Sequence, residues 1–222
     1  RLRPLTDDCP KPLLEINNEP ILQHILKNLK THGVDEVILS VGYKAPMIQD
    51  YFSDGSRLAM KINYCVEEEF LGTGGAVKMI VEKYNLTEPF VLQWGDNLAD
   101  YHLSEMIEKY KSNDYLVDMA LTEREDVEHF GVAKIDGDKI LNFIEKPPRH
   151  EAPSKLINAG VFVVNPKACD ILPTGISSIE RECFNKLADE GKLGAFIHRG
   201  FWYPTDTLEK YHLANSELTN LK

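Results

Sequence analysis

Three short segments of the 222-residue sequence carry residue types that can hold phosphates, sugars or a cation. Gly95-Asp96-Asn97 directly follows the apolar run Phe90-Val91-Leu92-Gln93-Trp94. A carboxylate outside the carboxyl end of a strand sits where open α/β sheets bind ligands. It suits Mg2+, which takes few protein carboxylates together with phosphate oxygens. Gly, Asp and Asn are also common turn residues, so a plain turn is the other reading. Leu71-Gly72-Thr73-Gly74-Gly75-Ala76 is a glycine-rich stretch opening a helical pattern. Glycines let a backbone approach a flat base or a phosphate, and a helix N-terminus favours anions. The stretch is neither a Walker A nor a GxGxxG sequence, and a strand-to-helix connection is the alternative. Glu145-Lys146-Pro147 closes a further apolar run. Its carboxylate would accept hydrogens from sugar hydroxyls while the ammonium faces a phosphate. A surface ion pair ahead of a proline turn, worth about 0–1 kcal/mol, is the plainer account.

These segments need elements to hold them. Ile21, Leu22, Ile25, Leu26 and Leu29 fall on one helical face, with Pro20 in the first turn and Gly33 as a stop. Val37 to Val41 reads as a buried strand, followed by a short helix around Met47, Ile48, Tyr51 and Phe52. A strand near Ile62 to Val66 precedes the glycine stretch, whose helix carries Val77, Ile80, Val81 and Tyr84. Phe90 to Trp94 is a strand, and Leu103, Met106, Ile107 and Tyr110 mark a helix. Strands alternating with helices predict βαβ units and a mainly parallel sheet. Past Tyr115 the rhythm changes. Leu116 to Leu121 is a strand, and Asp136-Gly137-Asp138 between two apolar runs is a strong hairpin signal. Ile157 to Val164 is a further strand. A helix near Ile179, Cys183, Phe184 and Leu187 ends before Gly191, and a last helix starts near Thr207. The expectation is a single α/β domain over 1–222: a Rossmann-like mixed, mostly parallel sheet flanked by helices, with extra antiparallel strands in the second half.

Composition narrows the class. Acids outnumber bases 35 to 25, for a net charge of −10, which argues against a general nucleic-acid backbone binder. No apolar run approaches the ~18 residues of a membrane helix, and the opening RLRPLTDDCPKP has no signal-peptide apolar region. No nucleic-acid or membrane partner is expected. Cys9, Cys65, Cys169 and Cys183 form no CxxC pair and have no zinc-finger spacing, consistent with reduced thiols in a cytoplasmic protein. His24, His32, His102, His129, His150, His198 and His212 show no pairing that suggests a nucleophile.

In order and spacing, Arg1-Leu2-Arg3-Pro4-Leu5-Thr6 with Lys11-Pro12, then Leu71 to Ala76, Gly95-Asp96, Phe130-Gly131-Val132, Glu145-Lys146-Pro147 and Asn158-Ala159-Gly160 resemble the sugar-1-phosphate nucleotidyltransferases. Val41-Gly42-Tyr43-Lys44 and Ser178-Ile179-Glu180-Arg181 are similar to further habits of that family. The resemblance covers essentially the whole chain. Such enzymes make NDP-sugars and pyrophosphate from an NTP and a sugar 1-phosphate, the two partners it implies here; a homodimer is compatible with it. Members begin with a strand and a GGxGTR loop, and this sequence starts at what resembles that loop's Arg. A preceding strand and glycine loop are therefore expected.

The resemblance implies in-line attack of a sugar-phosphate oxygen on the NTP α-phosphorus, a reaction that needs positioning and charge neutralisation more than a base. It assigns Arg1 to the pyrophosphate, Lys11 to the α-phosphate and Lys146 to the sugar phosphate. Asp96 and Asp206 would hold Mg2+. Leu71, Gly72, Thr73 and Gly95 would contact the nucleotide, and Gly131, Glu145 and Asn158 the sugar hydroxyls. Glu69 to Gly75 is most similar to guanylyltransferases for mannose or heptose 1-phosphates. Trp202-Tyr203-Pro204-Thr205-Asp206-Thr207 departs from the common W-x-D-x-G-T pattern and is more similar to cytidylyltransferases, with glucose 1-phosphate or another phosphate monoester as acceptor. A non-catalytic NDP-sugar-binding subunit is a competing class, though two metal carboxylates exceed what binding needs. A glycosyltransferase with a D-x-D site is another, but Asp96-Asn97-Leu98 lacks the second Asp.

Overall fold

A computed structural model of the chain describes residues 2–220. Arg1 lies outside them. In chain order the strands are β1 (Glu15–Ile16), β2 (Glu19–Pro20), β3 (Glu36–Val41), β4 (Lys61–Val66), β5 (Phe90–Gln93), β6 (Asn97–Ala99), β7 (Val117–Glu123), β8 (Gly131–Asp136), β9 (Lys139–Glu145), β10 (Leu156–Val164), β11 (Leu193–Ile197) and β12 (Trp202–Pro204). The helices are α1 (Leu5–Asp8), α2 (Ile21–Thr31), α3 (Ala45–Phe52), α4 (Gly72–Lys83), α5 (Leu103–Lys111), α6 (Asn185–Asp189) and α7 (Leu208–Asn220). No helix among the described residues is long and apolar enough to cross a membrane.

The chain divides into two compact units. The first takes the residues up to Glu68, Trp94–Leu103 and those from Gly200 onward. Its strands pair two by two: β1 with β2, β3 with β4 and β6 with β12. All five apolar residues of the α2 face are buried. Pro20 precedes the helix and Gly33, at φ +81°, ends it in the left-handed conformation that suits glycine. The βαβ rhythm is realised in β3–α3–β4, whose strands run parallel from Glu36↔Lys61 to Val41↔Val66. The expected full burial of this strand is corrected: only Val41 of β3 is buried, because the ladder has two strands. Trp202 is core, and its Nε1 donates to the buried Tyr101 hydroxyl at 3.1 Å.

The second unit takes Glu69–Gln93 and Ser104–Arg199. Its six-stranded sheet runs β5-β10-β7-β11-β9-β8. β8 also bonds β10 through Ile157↔Val132, so five of the strands close on themselves like a barrel. Within this sheet β7–β11 is the parallel pairing, and β5–β10, β7–β10, β9–β11, β8–β9 and β8–β10 are antiparallel. The expectation of a mostly parallel sheet is therefore corrected. Alternating periodicity reports that strands exist, whereas their direction is fixed by long-range partners. The Asp136-Gly137-Asp138 hairpin is present, with Asp136 opposite Lys139 and Gly137 at φ +59°. Its core centres on Phe162 and Phe184, whose ring centroids are 4.9 Å apart.

Candidate functional site

In the first unit, β6 and β12 place the two candidate metal carboxylates. Asn97 lies opposite Pro204, so the residues just outside the ladder, 96 and 205, are neighbours. Thr205, fully buried, donates its hydroxyl to the Asp96 carbonyl at 2.7 Å, and Asp206 follows it. Lys11, in the short turn Lys11–Leu13 between Pro10 and Leu14, donates through Nζ to Asp96 Oδ2 at 2.7 Å. Asp206 Oδ1 is 3.3 Å from Lys210 Nζ, one turn along α7. Leu2, Thr6, Lys11 and Asp206 line a cleft of about 250 Å3. The structure thus brings Lys11, Asp96 and Asp206 together. Gly95 sits at the same place with open space where a Cβ would point, so packing does not demand a glycine there.

Two residues singled out only by habit of spacing prove to be braces. Tyr43 OH donates to the Thr6 and Asp7 carbonyls at 3.4 Å, and Lys44 Nζ donates to the Asp7 carbonyl at 2.7 Å. They hold the segment that contributes Leu2, Thr6 and Lys11 to the cleft. Thr205 carried no signal in the sequence; its role depends on a pairing across more than a hundred residues.

The donor set of Asp96 and Asp206 is hard carboxylate oxygen, which fits Mg2+ rather than a thiophilic metal. Among the described residues no group of three or more His, Cys, Asp and Glu is gathered for a metal. A cation at these two carboxylates would complete its shell with phosphate oxygens and water, as Mg2+ does.

In the second unit, Leu71 precedes α4, which begins at Gly72. The glycines have a reason that sequence reading did not supply: they let this segment dock on residues 175–179. A Cβ on Gly72 would stand 2.4 Å from the Ser177 carbonyl, and one on Gly75 would stand 2.3 Å from that of Gly175. Gly74 N–H donates to Ser177 O and Ser177 N–H to Leu71 O, both at 2.9 Å. The Thr73 hydroxyl donates to Glu180 Oε2 at 2.7 Å and accepts from Ile179 N–H at 3.0 Å.

Glu145 ends β9 opposite Gly131. A Cβ on Gly131 would lie 2.3 Å from the Phe143 ring and 2.8 Å from Glu145 Oε2, so that glycine makes room for the carboxylate. Lys146 takes φ +50°, donates its N–H to Phe130 O at 3.0 Å, and sets Nζ 3.2 Å from Glu145 Oε1. Burial pushes the Glu145 carboxyl above the ordinary glutamate range, the Glu180 charge adds to this, and Lys146 and Arg181 oppose it. Asn158 accepts Gly160 N–H at 2.8 Å through Oδ1, pinning a bulge in β10 where Gly160 has φ +85°.

The four cysteines are free thiols; Cys65, Cys169 and Cys183 are buried. Burial pushes the Cys169 thiol up to about 11 and that of Cys183 to about 12, which removes both as nucleophiles.

Residues 1–220 match the nucleotidyl transferase family. The chain is 34% identical to mannose-1-phosphate guanylyltransferase 1 of Arabidopsis thaliana over 207 residues, 91% of this chain and 57% of that protein. It is 31% identical to the glucose-1-phosphate cytidylyltransferase of Salmonella typhi over 220 residues, 90% of this chain and 84% of that protein. A crystal structure of HddC from Yersinia pseudotuberculosis complexed with GMP-PN is 27% identical, with a TM-score of 0.81 over 98% of this chain and 94% of that one. The chain spans less than two thirds of the guanylyltransferase's length.

Proposed function

Because the chain belongs to the nucleotidyl transferase family, we propose that it joins an NTP to a sugar 1-phosphate, forming a nucleotide sugar and releasing pyrophosphate, with GTP and a mannose- or heptose-type sugar favoured. The observation that carries this is the meeting of Lys11, Asp96 and Asp206 around one cleft in the first unit. A lysine bonded to one carboxylate, with a second carboxylate lining the same cleft as that lysine, suits polyphosphate chemistry, in which like charges must be held together.

Asp96 and Asp206 would hold Mg2+, which when bound neutralises phosphate charge and acts as a Lewis acid. Lys11 has three ammonium donors; one goes to Asp96, and the others serve the α-phosphate. Arg1 is assigned to the pyrophosphate. Leu71, Gly72, Thr73 and Gly95 serve the nucleotide. Lys146 takes the sugar phosphate, while Glu145, the Gly131 backbone and Asn158 receive sugar hydroxyls. Lys146 and Arg181 partly offset the burial and the Glu180 charge that raise the Glu145 carboxyl. Charge-assisted contacts of this type fix a planar or tetrahedral anion better than neutral ones.

The preference for guanine rests on the Glu69 to Gly75 segment, and the guanylyltransferase relatives support it. A second reading, CTP with glucose 1-phosphate, rests on the four-residue interval from Trp202 to Asp206 and on the Salmonella relative, whose length the chain largely spans. Pyrophosphate release with each of the four NTPs against mannose, heptose and glucose 1-phosphates tests both. GTP with a mannose- or heptose-type substrate is the expected pair. Turnover with CTP and glucose 1-phosphate alone selects the second reading, and no release with any pair overturns both.

A further inference from the structure

Glu180 stands outside every role assigned above, yet more bonds converge on it than on any residue of the sugar-phosphate group. Thr73 Oγ1 and Ser178 Oγ both donate to the same oxygen, Oε2, each at 2.7 Å. The Thr73 hydroxyl in turn accepts Ile179 N–H, so the start of α4 and the start of the turn at 180 are tied in both directions. A carboxylate oxygen can take two hydroxyl donors at once, and as an ionised acceptor it makes the stronger kind of hydrogen bond.

The backbone around Glu180 is unusual as well. Glu180–Phe184 forms a single π-helical turn, a rare conformation that is over-represented at functional sites. That turn packs on β9: Phe184 meets Phe143 edge to face at 6.1 Å. The Asn185 side-chain amide faces Glu180 O and Phe143 O; with its oxygen and nitrogen exchanged, the orientation that satisfies both groups, it donates to them at 3.2 and 2.9 Å. Phe143 lies two residues before Glu145 on β9.

We propose that Glu180 is a positioning residue: its Oε2 fastens the glycine segment Leu71–Gly75 to the π turn, and the turn's packing on β9 sets that segment in register with Glu145 and Lys146. This rests on the reading that the glycine segment serves the nucleotide and Glu145-Lys146 the sugar phosphate; under it, Glu180 couples the second unit's nucleotide-facing segment to its sugar-phosphate residues. It touches neither substrate itself. Loss of the tie raises KM for both substrates together, whereas loss of Glu145 raises KM for the sugar phosphate.

The test combines amide hydrogen exchange on the full chain without substrate with steady-state kinetics on Glu180→Ala, Glu180→Gln and Thr73→Val. Glutamine keeps a side-chain oxygen able to accept from both hydroxyls, so it should preserve slow exchange over residues 71–79 and 175–182. Alanine and Thr73→Val should each speed exchange there by ~10-fold or more, and the double variant should be no faster than either single one. In kinetics, Glu180→Ala should raise both KM values, and Glu180→Gln should restore them towards the parent. Unchanged exchange in Glu180→Ala overturns the proposal, as does a glutamine variant as fast as alanine. A rise in both KM values with unaltered exchange also overturns it. If the exchange pattern holds while no NTP gives pyrophosphate, the tie stands and the proposed reaction falls.

Discussion

Lys11 and Asp96, 85 residues apart in sequence, meet through a 2.7 Å contact between Nζ and Oδ2. The pair is partly open, with side-chain exposures of 22% and 43%, so its direct worth to stability is small. Under the proposed reaction, its value would lie in pre-placing a cation and an anion where phosphate groups arrive.

Asp96→Asn is nearly isosteric and should leave the fold intact, with an unaltered far-ultraviolet circular dichroism spectrum. It should lower turnover by at least ~100-fold, a loss of about 2.7 kcal/mol of transition-state stabilisation. Normal Mg2+-dependent turnover in this variant would remove Asp96 from the metal site.

Asp206 lies 3.3 Å from Lys210 Nζ and, under the proposed function, would also hold a cation. Asp206→Ala should raise the Mg2+ concentration needed for half-maximal rate and reduce the rate itself. Lys210→Met is the control that separates these two roles. If Asp206 served only to pair with Lys210, both variants would show the same Mg2+ titration; the expectation is that Lys210→Met stays near the parent.

Glu145→Gln replaces the charged acceptor proposed for sugar hydroxyls with one neutral acceptor oxygen and an amide donor, while preserving side-chain volume. KM for the sugar phosphate should rise by ~10-fold or more, in line with about 1.4 kcal/mol for a charged hydrogen bond, and KM for the NTP should hold. Equal increases in both would show that Glu145 supports the unit rather than the sugar.

Asp118 offers a stability test away from any substrate. It is fully buried on β7, accepts from Asn113 Nδ2 at 3.0 Å and lies 3.9 Å from Lys109 Nζ. Burial raises its carboxyl above the ordinary range, against the opposing effects of Asn113 and Lys109, with Asp138 adding to the rise. The native state therefore holds this proton more tightly than the unfolded chain. That contribution is complete below the unfolded pKa and is lost as pH rises through the native one. Relative to Asp118→Asn, which does not titrate, the parent's Tm should fall as pH is raised from acid to neutral. A pH-independent difference in Tm between the two would refute the assignment.

The local signals of the sequence carried far. The α2 face, the hairpin at Gly137 and the strand-end position of Glu145 all follow from periodicity and turn chemistry, which are properties of near neighbours. Elements whose identity depends on distant partners were not legible. β11 has no clear strand signature because it is short and contains Gly194, and glycine weakens a strand pattern. The structure shows why that residue is small: a Cβ there would stand 1.9 Å from Asp118 Oδ1 and 2.4 Å from the Tyr115 ring. The three-residue β6–β12 ladder, which gathers Asp96 and Asp206, has too few residues to show any period. The glycines at 72, 74 and 75 signal backbone exposure in the sequence, while the contacts they permit with residues 175–179 are internal and long-range.

The π turn at Glu180–Phe184 makes one stretch of this chain sensitive to length as well as to chemistry. Such a turn is an α-helix carrying one surplus residue, and each helical residue turns the chain by about 100°. Deleting a single residue between Arg181 and Cys183 would let an ordinary helix form at little backbone cost. It would also rotate everything before the deletion against everything after it. Either Phe184 would leave its place between Phe143 and Phe162, or Glu180 would swing away from Thr73. A one-residue insertion or loss here therefore exchanges core packing against the tie to the Leu71–Gly75 segment, so the surplus residue acts as a reading frame for the second unit.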